Sequence, residues 1–505
     1  MRTALLVFSF LACAFPGKSA GAGDGPPSVS AETPIPPADR KALFESLLKS
    51  LRTRHVFAPQ TEKNLGRKWE DDRPLLEKEF AAADTLGKLR AALSHLGNSL
   101  HDRHCFYEPE ERPDDLWPGF SIASEWNSGQ PSFYIVEVED PALSKLLVVG
   151  DRVVSVDGVA ATEFLSRYQL ESRANSLRGM ARDVAQFLTQ RPNWGGSLRA
   201  GQTSTWVVRR RGTEQAVSFR ATWRLDSPVV PQRSPDYAVV YRETQCGELP
   251  QRKYPGYHLT GRGINYCLYT STTAPYSAYP IVRHYSFLYG TERQPPWVGV
   301  EKEYYLLKAH LAAQKDLRGI ILDLRDNTGG NNPNWFLDWY APAPWRDEWV
   351  VERKQDGSYA PPHPFFCPVE HCTTSDYVPK HRVARLPVAL LVGPRCFSAC
   401  DSFALTFEEN RFGPLIGEPT AAGYTSMRQG LPLRTKSGVP LGQLLIGTTK
   451  QLSGKTGLEV EAVSLHLDYP IDRGFDNHDT YDRLLVDTAI RAFTEYKFPA
   501  STTGP

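Results

Sequence analysis

Apolar side chains in the first part of the chain recur at the spacing of a helix face. Apolar residues three and four positions apart occur at Leu43, Phe44, Leu47, Leu48 and Leu51. A second stretch with this spacing runs from about Leu75 to Leu100. Because such a period places apolar groups on one side of a helix, the pattern predicts an N-terminal helical domain over residues 37–116.

The pattern changes to short alternating strands over residues 117–226. The run "FYIVEVE" is typical of one strand, and "LLVVGDRVVSVDGVAA" is typical of two strands with a turn between them. Gly150-Asp151 and Asp157-Gly158 supply the turn signals. Helical spacing returns near "GMARDVAQFLTQR". We therefore expect a β domain with one main helix in this region.

An α/β rhythm predicts a third domain over residues 301–497. It has two buried strands, "LRGIILDLRDN" and "LPVALLVG", a short third strand at "GPLIGEPT" and a last helix at "TYDRLLVDTAIRAFTEY". Strands interleaved with helices favour a mixed or mainly parallel sheet. The Tyr-, Pro- and Arg-rich residues 227–300 are predicted to be an insertion or linking subdomain. The predicted fold class is therefore multidomain α/β.

The N-terminus has the pattern of a secretory signal peptide over residues 1–22. Arg2 precedes a short apolar run, and Ala20-Gly21-Ala22 offers small residues for cleavage. A flexible lead-in is predicted over residues 23–36. We therefore expect a periplasmic or secreted protein, with a lipid anchor on Cys13 as the less favoured alternative. No other run reaches 18 apolar residues, so no integral membrane span is expected.

The charges of the chain nearly cancel. There are 58 Lys and Arg residues against 57 Asp and Glu residues, which gives a formal net charge of +1. Such a balance provides no general attraction to nucleic acid or to an anionic membrane. Nucleic acid is therefore not expected as a partner.

Cysteines should pair if the protein is exported, because disulfides persist in oxidising compartments. Seven cysteines remain after the predicted signal peptide. The natural local pairs are Cys367 with Cys372 and Cys246 with Cys267, and a Cys396–Cys400 bridge would stiffen its turn. The odd count leaves at least one free thiol. The Cys and His residues lack the paired spacing of a zinc site, so no metal is predicted.

Two predicted strand ends carry residues suited to acyl transfer. Gly329 and Gly330 follow the first buried strand, and adjacent glycines let backbone N–H groups point into a cleft. Ser398 and Ala399 follow the second buried strand at a predicted strand-to-helix turn. A serine in such a turn is well placed as a nucleophile, with the next N–H facing the developing oxyanion.

These segments together resemble the C-terminal processing (tail-specific) peptidase family. "ILDLRDNTGG" resembles the family's Asp-Leu-Arg-x-Asn-x-Gly-Gly block, "FSACDSFA" its Ser-Ala-Ser-Glu-x-Phe-Ala block, and "GEPT" at 417–420 a third block. The resemblance implies a serine-type peptidase that needs no cofactor. It implies that Ser398 is the nucleophile. It also implies that the N–H groups of Ala399 and of Gly329 or Gly330 form the oxyanion hole.

The β domain resembles the PDZ domains that members of this family carry. "GDRVVSVDGV" resembles the PDZ signature, and "PGFSIA" at 118–123 resembles the loop and strand that receive a peptide C-terminus. This resemblance implies that C-terminal tails of protein or peptide substrates add a strand here. A PDZ-like module kept only as a scaffold is the alternative.

The expected general base departs from the commonest family pattern. Many members pair the serine with a lysine soon after "GEPT", but Gly423 holds that place here. A branch that resembles the tricorn core protease uses a histidine in a Leu-x-Asp-x-His run before the PDZ module, together with a distant glutamate. The run "LHDRH" places His104 at the matching position, and His101 fits less well. By this resemblance His104 is the general base.

The glutamate of that branch comes from the β-rich region after "GEPT". Glu459 and Glu461 are the candidates, and they would face the same side of a strand because they lie two residues apart. Glu459 is the preferred residue, and Glu461 stays open. If a lysine acts as the base instead, Lys450 or Lys455 would supply it.

The predicted function is that of an exported serine endopeptidase, which hydrolyses peptide bonds in protein substrates through an acyl-enzyme on Ser398. A Ser–Lys peptidase is one alternative. Another is a non-catalytic protein on the same fold that binds peptides or apolar ligands. The absent lysine and the altered "SACDSFA" block leave that second alternative open.

Overall fold

The structure is a computed structural model. It describes residues 30–111, 113–127, 129–194, 198–225, 246, 254–287, 296–330, 332–365, 376–424 and 428–498. The predicted signal peptide, Cys13 and the predicted Cys367–Cys372 pair lie outside the described residues. Among the helices that are described, none combines the length and the apolar character that crossing a bilayer requires.

The N-terminal part is helical, as the spacing of its apolar residues predicts. Its elements are α1 (Pro37–Arg54), α2 (Pro59–Leu65), α3 (Arg73–Ala82), α4 (Leu86–Asn98) and a short strand β1 (Phe106–Glu108). Helix α4 begins at Thr85, whose side chain accepts the Lys88 N–H and so caps the helix. Leu51, Leu76 and Leu93 lie fully buried where α1, α3 and α4 meet.

The middle part is a β unit with one long helix. Its elements are β2 (Asp115–Leu116), β3 (Phe120–Asn127), β4 (Gln130–Val138), β5 (Arg152–Val156), β6 (Val159–Ala160), α5 (Phe164–Arg167), α6 (Leu177–Thr189), β7 (Arg191–Pro192), β8 (Thr203–Arg209) and β9 (Ala216–Thr222). The sheet order is β3-β4-β5-β8-β9, with β6 on β5, so β3 lies at one edge. Helix α6 packs beside β3 through Val184 and Leu188.

The C-terminal part forms the largest core. Its elements are β10 (His258–Arg262), β11 (Tyr266–Thr270), β12 (Ile281–His284), α7 (Pro296–Ala312), β13 (Ile320–Asp323), α8 (Asn334–Leu337), β14 (Trp345–Arg346), β15 (Trp349–Glu352), β16 (His363–Pro364), β17 (Asp376–Tyr377), β18 (Val388–Val392), α9 (Ala399–Glu409), β19 (Leu415–Gly417), β20 (Arg428–Arg434), β21 (Pro440–Gly447), β22 (Thr449–Leu452), β23 (Tyr469–Pro470) and α10 (Tyr481–Glu495).

A seven-stranded mixed sheet organises this part, in the order β10-β11-β12-β13-β18-β19-β23. The pairs β10–β11 and β11–β12 are antiparallel, and the remaining pairs are parallel. Apolar side chains of α7 and α9 cover one face, and those of α10 cover the other. This arrangement confirms the predicted α/β class with a mixed sheet.

The sheet extends beyond the predicted boundary at residue 301. Strands β10, β11 and β12 come from the region expected to be an insertion, and Cys246 forms a disulfide with Cys267 of β11. The buried positions of β11 include Tyr266 and Cys267. An aromatic side chain and a disulfide-bonded cysteine pack well in a buried strand. However, these residue types make the apolar pattern of the strand weak in the sequence.

A second difference concerns the N-terminal helices, which do not close their core alone. Strand β1 pairs antiparallel with β21, which pairs with β20, and this three-stranded sheet lies against the helices. Leu431, Leu444 and Ile446 of the hairpin share the helical core. The C-terminal hairpin therefore completes the N-terminal part.

Parallel pairing brings three loops to one edge of the seven-stranded sheet. Ile320 pairs with Val388 and Leu390 pairs with Leu415, so β13, β18 and β19 run side by side in one direction. Their carboxyl ends lead into residues 324–330, 393–398 and 418–424. Ligands of such sheets gather at this edge, and all three family-like sequence blocks end there.

Candidate active site

Ser398 occupies a strained turn between β18 and α9. Its φ of 61° and ψ of −125° lie in a region that residues with a side chain rarely adopt. The Ser398 N–H donates to Gly423 O at 2.9 Å. A disulfide joins Cys396 to Cys400 across the turn. A strained serine at the start of a helix has the geometry of an exposed nucleophile.

The structure brings His104 to this serine from a distant part of the chain. The two lie 3.1 Å apart, measured from His104 Nε2 to Ser398 Oγ. The His104 ring is buried and packs on the Phe397 ring, with 4.5 Å between the ring centroids. A neutral imidazole at this distance can accept the hydroxyl proton.

Asp102 lies on the other side of the His104 ring. Its Oδ1 accepts the His104 backbone N–H at 2.8 Å and lies 3.6 Å from Nδ1. Burial opposes a charge on Asp102. The hydrogen bond and the charge of His104 outweigh burial, so the pKa of Asp102 lies well below its usual range. Asp102 is therefore ionised at neutral pH.

The sequence did not assign a role to Asp102, although the residue stood in the Leu-x-Asp-x-His run. The signal that could have found it is the Asp-x-His spacing itself. A residue two positions before a histidine can reach both its backbone N–H and its ring when the chain turns sharply. His101, at the start of this turn, has a positive φ of 48°.

Glu459, the preferred orienting carboxylate, lies elsewhere. Its Oε2 pairs with Lys450 Nζ at 3.4 Å, and it contacts no catalytic residue among those described. Residues 459 and 461 lie in an irregular segment, so the assumption that they share a strand face fails.

Glu461 is the glutamate near the site. Its Oε2 accepts the Tyr424 N–H at 3.0 Å. Burial and the nearby charges of Asp102 and Asp401 raise the pKa of Glu461 well above its usual range. Glu461 is therefore harder to ionise than an ordinary glutamate, unlike Asp102.

The glycine loop meets the serine turn without room for a side chain. A Cβ on Gly329 would lie 2.6 Å from Phe397 O and 2.8 Å from Ser398 Cβ. The Gly329 N–H already donates to Asn327 Oδ1 at 2.8 Å, so it is not available for an oxyanion. Among the described residues, the N–H groups of Gly330 and Ala399 donate to no protein acceptor.

The two lysines considered as bases lie away from Ser398. Lys450 pairs with Glu459, as described above, and its Nζ lies over the Tyr359 ring. Lys455 Nζ donates to Glu409 O. At Gly423, where many relatives have a lysine, a Cβ would lie 2.8 Å from the Phe397 ring. The ring that packs on His104 therefore fills the space of the missing side chain.

Asp401 fixes the loop that follows β19. Its two carboxylate oxygens accept the N–H groups of Ala422 and Gly423 at 3.2 and 3.1 Å. Burial raises the pKa of Asp401 to about 7, although these hydrogen bonds oppose the shift. Because Gly423 O accepts the Ser398 N–H, Asp401 acts on the nucleophile through this loop.

One group of side chains among the described residues has the spacing of a metal site. Donor atoms of His55, Asp102 and Cys105 lie within 4.8 Å of one another. Such donors suit zinc. However, burial and the Asp102 charge raise the pKa of the Cys105 thiol well above its usual range, and a metal would have to displace its proton. We therefore give this group no metal role.

Residues 295–458, which carry the glycine loop and Ser398, match the model of Peptidase family S41. A search of the curated proteins found no match.

Among solved structures, mature CPAF is similar with a TM-score of 0.68 at 13% identity, covering 91% of this chain and 98% of that chain. Mature CPAF complexed with lactacystin gives a TM-score of 0.67 at 13% identity, covering 90% and 99%. At this identity the likeness establishes a shared fold. The match of residues 295–458 to the family model confirms the resemblance read from the sequence: this part of the chain is similar to the serine-type peptidases of family S41.

Proposed function

We propose that the protein is an exported endopeptidase that cleaves protein substrates through an acyl-enzyme on Ser398. His104 is the general base, and Asp102 orients and stabilises it. The observation that carries the proposal is the 3.1 Å distance between Ser398 Oγ and His104 Nε2, at a serine held in a strained turn. The ionised state of Asp102 favours it over Glu461 as the charged partner of the ring.

The reaction would follow from this arrangement. Ser398 Oγ attacks the scissile carbonyl while His104 Nε2 takes its proton, and the same nitrogen later gives that proton to the leaving amine. Asp102 stabilises the imidazolium that forms in between. The N–H groups of Gly330 and Ala399 are the proposed donors to the oxyanion. Water then attacks the acyl-enzyme with His104 again as the base.

Replacing the nucleophile tests the proposal directly. Ser398→Ala should abolish hydrolysis of casein and labelling by a fluorophosphonate. Ser402→Ala is the matched control, because Ser402 lies one turn later on α9, is buried and accepts a hydrogen bond from Gln451 Nε2 at 3.1 Å. The control should keep its activity. Full hydrolysis by Ser398→Ala would refute the proposal, and saturable ligand binding without turnover would favour a binding protein.

We further propose that the β unit is a PDZ module whose edge strand β3 receives substrate tails beside α6. Contacts of α6 and its N-terminal segment with the catalytic loops support this. Asp183 Oδ1 pairs with Arg103 Nη2 at 3.0 Å, and Arg182 Nη2 pairs with Glu418 Oε1 at 3.0 Å. Asn175 Nδ2 donates to Ala422 O at 2.8 Å. A tail lying against α6 would therefore act on loops next to His104 and Ser398.

Tail recognition can be separated from hydrolysis with matched peptides. A substrate with a free C-terminal carboxylate should be cleaved at a lower KM than the same peptide with a C-terminal amide, because backbone N–H groups would bind the carboxylate. Equal KM values would contradict tail docking while leaving the peptidase proposal intact.

Export is tested by N-terminal sequencing of the mature protein. The expected result is a protein that lacks residues 1–22.

A further inference from the structure

We propose that Cys105 is a positioning residue for the catalytic base. Its thiol donates a hydrogen bond to the far oxygen of Asp102, and this carboxylate then holds the His104 ring toward Ser398. The inference rests on the function proposed above. It adds to the Ser398–His104–Asp102 group a side chain that does not contact substrate.

A continuous set of contacts joins Cys105 to the nucleophile. Cys105 Sγ lies 3.2 Å from Asp102 Oδ2, while Oδ1 of the same carboxylate lies 3.6 Å from His104 Nδ1. His104 Nε2 in turn lies 3.1 Å from Ser398 Oγ. Because the thiol and the ring contact different oxygens, the thiol fixes which oxygen faces the ring.

The Gly447 peptide group sets the direction of the thiol hydrogen bond. The Gly447 N–H can only donate, and it donates to Cys105 Sγ at 3.1 Å. The Gly447 carbonyl can only accept, and it lies 3.2 Å from His55 Nδ1, so that nitrogen carries a proton. His55 Nδ1 therefore cannot accept the thiol proton, although it lies 3.6 Å from Sγ. Asp102 Oδ2 is the remaining acceptor.

The surroundings favour the protonation states that this series of hydrogen bonds requires. Burial lowers the pKa of His55, which keeps the ring neutral. Burial, together with the Asp102 charge, raises the pKa of the Cys105 thiol, which keeps its proton. Cys105 is the free cysteine among the described residues and is fully buried. It is thus shielded from oxidants and suited to a structural hydrogen bond.

Other charged groups also face this carboxylate and thiol. The half-buried Arg173 guanidinium, in the segment before α6, interacts with Asp102 and Cys105. Glu461 interacts with Asp102, and Arg353 interacts with His55. Substitutions at Cys105 leave these groups in place, so a change in pH profile would report on the thiol contact.

A thiol differs from a hydroxyl at this position in the strength of its hydrogen bond. An S–H group is a weak donor. It can therefore hold the orientation of the carboxylate while leaving most of the negative charge available to His104. A hydroxyl would draw more of this charge away, and an apolar side chain would leave Oδ2 without its donor. These three cases give different expected pH profiles.

Two substitutions and a pH profile test the inference. Cys105→Ala should lower kcat about 10-fold, because a catalytic base that is less well oriented loses rate. The acid limb of kcat/KM should move to higher pH, because the carboxylate loses a donor and stabilises the imidazolium more. Cys105→Ser should restore kcat to within about threefold of the wild type, because a hydroxyl can donate the same hydrogen bond. Its acid limb should move to lower pH, because the hydroxyl is the stronger donor.

A control at the same junction separates positioning from stability. Tyr107 on β1 donates its hydroxyl to Leu441 O and does not contact Asp102. Tyr107→Phe should lower Tm, and its kcat and acid limb should stay unchanged. If both Cys105 variants keep the wild-type acid limb, the positioning role is refuted even when their Tm falls. Activity that survives Ser398→Ala would instead overturn the proposed function.

Discussion

The serine turn and the histidine loop reach the same site by different means. Ser398 follows a buried strand directly, and a disulfide between Cys396 and Cys400 spans its turn. His104 follows an N-terminal helix, and long-range contacts hold its loop. Within that loop Cys105 Sγ accepts the Gly447 N–H, and Arg103 pairs with Asp183. The nucleophile is positioned mainly by its own turn, whereas the base is positioned by two distant parts of the chain.

This difference indicates which substitutions should disturb the site. A local turn is fixed by backbone strain and close approach, so a single added atom disturbs it. A loop held by several side chains should tolerate the loss of one contact, but its function depends on the carboxylate that orients the ring. The two regions should therefore respond differently to matched substitutions.

The largest effect should come from removing the base. His104→Ala should lower kcat by about 10²- to 10⁴-fold, which is the usual contribution of general base catalysis. His101→Gln is the matched control, because His101 lies in the same loop but contacts Arg67 Nη2, at 2.6 Å. The control should lose stability and keep kcat. Equal losses of kcat in the two variants would show that catalysis depends on the structure of the loop and not on the His104 ring.

A methyl group at the glycine loop should give the next largest effect. Gly329→Ala would place a Cβ 2.8 Å from Ser398 Cβ at a φ of +89°. Displacing the nucleophile by about 1 Å can cost about 10²-fold in rate. Gly438→Ala has a similar φ of +91° with nothing within 4 Å, so it controls for backbone strain alone. If both variants keep kcat, close approach at Gly329 is not needed.

Removal of each of the two disulfides should have a different effect on kcat and on the free energy of unfolding. Replacing Cys396 and Cys400 by serine should lower kcat a few-fold and cost about 2 kcal/mol of unfolding free energy, because the loop is short. Replacing Cys246 and Cys267, which are 21 residues apart, should cost more stability. This second variant should keep kcat, because its bridge is on β11, which β12 and β13 separate from β18 in the sheet. The opposite ranking of kcat would contradict local positioning of Ser398.

The smallest effect on rate is expected at Asp401, where the readout is stability against pH. The pKa of Asp401 rises from 3.8 to about 7 on folding, so between these values the native state binds the proton and the unfolded state does not. Native stability should therefore fall as pH rises from about 4 to 7, by up to about 4 kcal/mol. Asp401→Asn should remove this slope in denaturant titrations. An unchanged slope would assign it to other groups, such as Glu461.

The serine turn was easier to predict from the sequence than the histidine loop. The strands next to Gly329 and Ser398 carry unbroken apolar runs, so their ends, and the residues on them, could be placed. His104 could be found only through its resemblance to a known run. The contact between Asp102 and Cys105 depends on Gly447, which is distant in sequence, and no local pattern reports such a contact. Glu459 was preferred over Glu461 without a physical criterion, and an irregular backbone decides their positions.

The fold shows a comparable limit at β10 to β12. Their buried tyrosines and cysteine carry polar atoms, so the apolar periodicity was weak. The order of strands in the mixed sheet also depends on pairing between distant segments, which periodicity does not contain. The class of fold was predictable, but the boundary at residue 301 was not.

The pairing of β1 with β21 has a consequence for biosynthesis. Phe106 pairs with Leu445, and Gly447 contacts Cys105 across a separation of 342 residues, so the loop of the base is secured by residues that are translated much later. Chains emerge from the ribosome with the N-terminal part first. A nascent chain therefore carries its histidine long before its serine and the securing strand exist. Peptidase activity can therefore appear only after Ser398 and the securing strand β21 have both been made.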